Sequence, residues 1–166
     1  MSKHTLRQFT FTSKQDPDTG ATVTRLTPAD VTCHRNYFYQ KCFSNDGQRL
    51  LFGAEFGPGP QWHYHLLDLP SQTALQLTDG EGENTFGGFL SPDDRLLYFV
   101  RGDRQLIGLR LDGLREEVVY TVPEGWVGYG TWVANSACTL TPARCSKALG
   151  PSSWRSMASS TWAGSM

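Results

Sequence analysis

The stretch Phe43-Ser44-Asn45-Asp46-Gly47-Gln48-Arg49-Leu50-Leu51-Phe52 returns as Leu90-Ser91-Pro92-Asp93-Asp94-Arg95-Leu96-Leu97-Tyr98-Phe99, a spacing of about 47 residues that suits propeller blades. Both copies end a strand in a Ser/Asp turn, whose side chains can bond nearby backbone amides, and then lead through a basic residue into an apolar strand. The segments downstream of each copy repeat as well. Trp62 to Leu69 and Gln105 to Asp112 each read as a next strand closing on an Asp turn; Thr73 to Thr78 and Glu117 to Val122 read as a further strand. Two successive four-stranded units joined by short turns predict an all-β chain: about two complete blades of a β-propeller plus the start of a third.

Working outward, the repeat divides the chain. Residues 1–30 form an N-terminal segment, 31–82 one blade, 83–125 a second, and 126–137 the first strand of a further blade. In the N-terminal segment Gly20 to Thr27 alternates like a strand. It is expected to be a ring-closing strand left without a partner, because its natural partners come from the far end of a propeller chain. Unpaired edges and open blade faces favour self-association.

From Ser136 onward the pattern breaks. There is no Asp or Glu after Glu124, and Ser, Ala, Trp and Arg crowd together with neither strand nor helix period. Residues 138–166 are expected to be a non-homologous tail, read either as translation in a shifted frame from near Cys138 or as a genuine disordered end.

Composition narrows the function classes. A formal charge of −1 supplies no basic field for nucleic acid or anionic lipid, so neither is expected as a partner. The polar start Met1-Ser2-Lys3-His4 is not a secretory signal, and no run is apolar for long enough to span a bilayer. A cytoplasmic protein is expected. The cysteines Cys33, Cys42, Cys138 and Cys145 make no CxxC pair and read as reduced thiols.

The densest polar and aromatic segment, Thr32-Cys33-His34-Arg35-Asn36-Tyr37-Phe38-Tyr39-Gln40-Lys41-Cys42, is expected to be the innermost strand of the first blade. On it, His34, Asn36 and Phe38 would alternate with Arg35, Tyr37 and Tyr39. Arg35 beside His34 at a channel mouth could bind a carboxylate through a two-pronged guanidinium contact, with His34 as donor or proton carrier; alternatively these residues satisfy hydrogen bonds between blades. His63 and His65 share one face of a strand, a spacing able to hold a metal, but no third ligand lies near and an exposed outer-strand pair is expected. Asp93-Asp94 reads as a turn cap. No GxSxG, HExxH, Walker loop or dinucleotide fingerprint is present.

Val23 to Thr27, then Asp30 to Phe43, resemble the opening of bacterial oligogalacturonate lyases. The resemblance continues through Asn84 to Phe89 and Gly128 to Ser136, covering roughly residues 8 to 139. It implies a seven-bladed propeller more than twice this length that acts in the cytoplasm on short oligogalacturonides such as digalacturonate. The implied reaction is β-elimination. A base takes the C5 proton, a manganese ion neutralises the sugar carboxylate and stabilises the enolate-like intermediate, and the glycosidic oxygen leaves to give a 4,5-unsaturated product.

By the same resemblance the manganese ligands (three histidines and a glutamine), the catalytic histidine and its companion arginine belong to later blades. No catalytic or metal residue is therefore assigned in this sequence. His34, Arg35 and Tyr37 are carried as substrate-binding candidates, and the chain alone is expected to be inactive. Two other readings stand beside this one: a non-catalytic propeller module that binds a protein partner, and a remnant of a disrupted gene.

Overall fold

The computed structural model describes residues 2–38, 40–57, 59, 61–102, 104–128, 132–134, 139–141 and 145–147, with side chains as far as residue 125. Among them are fifteen short strands and no helix. The repeat folds as two antiparallel sheets. In the first, β4 (Cys33–Arg35), β5 (Arg49–Ala54), β6 (His63–Asp68) and β7 (Thr73–Gln76) lie in that order, and β1 (Leu6–Gln8) adds a fifth strand outside β7. The second runs β8 (Glu83–Leu90), β9 (Leu96–Arg101), β10 (Gln105–Arg110) and β11 (Glu116–Thr121). This is the order expected of consecutive blades, with β4 and β8 as the first, inner strands.

The turns of the repeat are built alike because the same side chains close them. Ser44 Oγ donates to Asp46 Oδ1 and accepts from the Arg49 amide, while Asp46 also accepts from the Gln48 amide. Ser91, Asp93, Leu96 and Arg95 repeat the arrangement. Gly47 and Asp94 occupy the same repeat position, and both have left-handed backbone, at φ +69° and +58°. A glycine takes that conformation freely; an aspartate needs a reason. Here the reason is a latch between blades: Asp94 accepts from Lys41 Nζ at 2.5 Å and from the Asn45 amide at 2.7 Å. Asp94→Ala is expected to lose the latch and keep the backbone strain, costing about 2 kcal/mol in urea unfolding, whereas Asp94→Gly loses only the latch, about 1 kcal/mol.

The main core lies between the two sheets. Leu51, Tyr64, Leu66 and Leu77 of the first interleave with Leu90, Leu97, Phe99, Ile107 and Leu109 of the second. The opposite face of the first sheet is also covered, since Phe9 from the N-terminal segment packs on Phe52 and Phe56 at ring separations of 6.3 and 6.0 Å. With both faces covered, β6 is buried along its centre. That corrects the expectation of an exposed histidine pair: His65 is 1% exposed, and the His63 side chain is largely enclosed against Glu83.

Two further expectations change. The strand at Gly20 to Thr27 is not unpaired: β3 (Thr22–Arg25) joins β2 (Thr12–Gln15) in a hairpin whose side chains all face solvent. The hairpin forms because Asp16 Oδ1 caps the Thr19 amide at 2.9 Å and Gly20 takes φ +72°. The start of the third blade is two short strands, β12 (Trp126–Gly128) and β13 (Trp132–Ala134). These pair with β15 (Cys145–Lys147) and β14 (Thr139–Thr141), inside the stretch expected to have no strand pattern. The rest of that tail, 138, 142–144 and 148–166, lies outside the described residues.

The inner strands also depart from simple alternation. β4 leaves β5 after Arg35↔Phe52, and contact with β5 resumes at Leu51 N–H to Cys42 O, 2.7 Å. In the second sheet the pairing jumps from Asn84↔Val100 to Phe89↔Tyr98. Residues 36–38 with 40–41, and residues 85–88, thus form arches at corresponding places in the repeat. Their backbone and amide groups bond across the blades instead: Tyr37 N–H to Phe86 O at 3.1 Å, Leu90 N–H to Lys41 O at 2.9 Å, and Asn36 Nδ2 to Gly88 O. The expected alternation of His34, Asn36 and Phe38 therefore ends at Arg35. Asn36 is buried, while Tyr37 and Phe38 are both exposed; Tyr39 lies outside the described residues.

Candidate functional site

The two arches carry the exposed aromatic residues Tyr37, Phe38 and Phe86. His34 projects from β4 toward the second blade into space that exists because residue 53 is glycine. A Cβ there would stand 2.8 Å from the His34 ring and 2.8 Å from Thr85 Cβ. The imidazole lies flat on Phe86, with centroids 3.9 Å apart and planes at 8°, and Trp62 packs beside it at 4.8 Å.

The hydrogen bonds of His34 fix its chemistry. Nδ1 lies 3.1 Å from the Arg35 carbonyl, which can only accept, so Nδ1 carries the proton and donates. Nε2, 3.0 Å from Thr85 Oγ1, then accepts from the threonine hydroxyl. Burial lowers the His34 pKa, an effect opposed by its bond to the Arg35 carbonyl, and so favours this neutral form. With both nitrogens occupied, His34 offers a substrate its ring and the surface it supports rather than a free donor.

Arg35 is the next residue on the same strand and points to the opposite side, as period-two geometry requires. It is exposed, and among the described residues no carboxylate pairs with its guanidinium. His34 and Tyr37 meet the same residue of the second blade, His34 through its ring on Phe86 and Tyr37 through its amide to the Phe86 carbonyl. Sequence reading missed Phe86 and Trp62. The signal was there in Asn84-Thr85-Phe86-Gly87-Gly88-Phe89, where paired glycines allow an arch beside an aromatic residue.

The histidines of β6 are bonded within the protein. His63 Nδ1 meets Glu83 Oε2 at 3.1 Å, and Glu83 also accepts from Thr78 and from Arg101 at 2.8 Å. His65 Nδ1 donates to the His63 carbonyl at 3.0 Å. Among the described residues no group of three or more His, Cys, Asp or Glu side chains could hold an ion.

Residues 1–150 match the family model described as oligogalacturonate lyase. The chain belongs to the oligogalacturonate lyase family. The oligogalacturonate lyase of Dickeya dadantii is 61% identical over 139 residues, which are 84% of this chain and 35% of that protein. A solved structure described as an oligogalacturonate lyase in complex with manganese matches at TM-score 0.79 and 62% identity, over 84% of this chain and 37% of that one. The oligogalacturonate lyase structure from Vibrio parahaemolyticus matches at TM-score 0.78 and 51% identity, over 83% of this chain and 36% of that one. This member of the family thus spans about a third of the length of these relatives, and within that third it keeps their fold.

Proposed function

We propose that this chain supplies the first blades of an oligogalacturonate lyase, with an oligogalacturonide bound along the inner edge of those blades by residues that include His34, Arg35 and Tyr37. The observation that carries the reading is the family match over residues 1–150. The exposed guanidinium of Arg35 suits a galacturonate carboxylate, for which arginine provides paired donors. Tyr37 offers an exposed ring, and His34 holds the neighbouring arch in place through Thr85.

In the whole enzyme the reaction would be an elimination: a base takes the C5 proton, its electron pair forms the C4–C5 double bond, the C4–O bond breaks, and the departing glycosidic oxygen acquires a proton. A conjugated 4,5-unsaturated uronate results. Among the described residues no group of three or more His, Cys, Asp or Glu side chains could hold an ion, and no step of the reaction is assigned to them. A cytoplasmic setting belongs to the same proposal, and the free thiols Cys33 and Cys42 suit a reducing compartment.

The test is to mix the purified chain with digalacturonate, with and without manganese, following the ultraviolet absorbance of the unsaturated product and the heat of binding. Binding without turnover is the expected result. Turnover would show that these residues hold more of the machinery than assigned, and absence of binding would remove the substrate site from these blades.

A further inference from the structure

We propose that Phe86 is a sugar-stacking residue, offering the face turned away from His34 to the apolar side of one galacturonate ring; this rests on the substrate reading above. Three observations converge on it. Phe86 is 58% exposed, an unusual place for a phenylalanine, yet it stands on a backbone held from both sides. Its carbonyl accepts from the Tyr37 amide at 3.1 Å, its amide bonds to Asn84 Oδ1 at 3.1 Å, and its ring rests on His34 at 3.9 Å. An exposed aromatic ring fixed in this way loses little freedom on binding, which suits a flat recognition surface.

The position also places the ring at the edge of the blade rather than in the core between the first two sheets. Blades of a propeller pack through their sheet faces, and the face of the second blade toward the first is already filled by the shared core. Phe86 lies instead on the inner edge, in the arch where β8 leaves β9, and inner strands front the central channel. Arches and bulges of this kind are a recurrent means of re-aiming a side chain next to a binding site.

Sugar chemistry then selects the ring. In a galacto-configured pyranose the axial oxygen at C4 leaves the hydrogens of C3, C4 and C5 together on the opposite face, a continuous C–H surface that matches an aromatic plane. A galacturonate unit stacked there has its C5 hydrogen covered. The unit on Phe86 is therefore not the one that gives up its C5 proton; it flanks that unit and holds the chain in register.

The experiment compares the full chain with Phe86→Ala and Phe86→Trp, titrating each with digalacturonate by calorimetry. Saturation-transfer nuclear magnetic resonance identifies which sugar protons lie against the protein, and circular dichroism checks the fold. The expected result is affinity about tenfold lower for Phe86→Ala, with affinity retained by Phe86→Trp. Transfer should be strongest to H3, H4 and H5 of one unit and vanish in Phe86→Ala. Unchanged affinity and transfer in a folded Phe86→Ala, beside a wild-type chain that binds, would overturn the role of Phe86 alone. A wild-type chain that does not bind would overturn the substrate reading and this inference with it.

Discussion

Gly88→Ala is expected to lower the stability of the two-blade unit by about 3 kcal/mol, a large fraction of what a small domain has. The backbone at Gly88 passes directly over Tyr64. A Cβ there would stand 2.2 Å from the Tyr64 hydroxyl oxygen and 2.4 Å from Cζ. Tyr64 has no room to yield, being fully buried between the sheets with its hydroxyl donating to Asn84 O at 2.7 Å. Shifting the arch instead would break the bond from Asn36 Nδ2, which is itself buried, to Gly88 O. Either response combines overpacking with a lost buried hydrogen bond. Urea unfolding measures the cost, and a double-mutant cycle locates it. In a Tyr64→Phe background the closest clash is gone, so Gly88→Ala should cost measurably less there than in wild type. An unchanged midpoint for Gly88→Ala would mean that the arch floats free of Tyr64.

The same arches mark where the sequence stopped being informative. The repeat was legible because Ser44 and Asp46, and Ser91 and Asp93, close identical turns through local bonds. Local bonds leave a signature at fixed spacing, so β5 through β7 and β9 through β11 could be read nearly in place. By composition the arch around Asn36, Tyr37 and Phe38 reads as continuing strand, because its aromatic residues mimic strand composition while the bonds that bend it come from the next blade, about 50 residues on. Burial of His65 was hidden for a similar reason. Its cover is Phe56, with Phe9 packed on Phe56 in turn, from segments whose crossing of the sheet has no local pattern. Of the hairpin of β2 and β3 only the second strand is read from its alternation; the turn Asp16-Pro17-Asp18-Thr19-Gly20 and the short polar strand before it carry the half that this reading leaves out. At the candidate site, strand alternation sets His34 and Arg35 on opposite faces of β4. What alternation could not supply was Phe86, since stacking across blades depends on the tertiary register of two arches.

His65 gives the unit a further expected property, loss of stability between about pH 6.5 and pH 4. The side chain lies among Phe52 and Phe56, with ring centroids at 5.4 and 5.0 Å. Nδ1 donates to the His63 carbonyl, and Nε2 is buried with no partner among the described residues. Burial chiefly, with smaller contributions from His63 and Arg7, pushes its pKa down to about 4 from 6.5. Above pH 6.5 the histidine is neutral whether the chain is folded or not, and its titration leaves stability unchanged. As pH falls below 6.5 the unfolded chain takes up a proton that the folded chain refuses, so stability declines until the folded form also protonates near pH 4. A gap of this size corresponds to about 3 kcal/mol. His34, lowered in the same direction by burial, adds to the loss as pH falls below 6.5. The turn aspartates Asp46 and Asp93 are lowered mainly by their serine partners, and their contribution is lost only at more acid pH. His65→Asn separates the cause from the rest, because the Asn Nδ2 can replace Nδ1 as donor to the His63 carbonyl but does not titrate. That variant should be less stable at neutral pH, through lost packing on Phe52 and Phe56, yet its urea midpoint should vary far less between pH 6.5 and pH 4. A wild-type pH profile that stays steep in His65→Asn would assign the acid sensitivity to other groups.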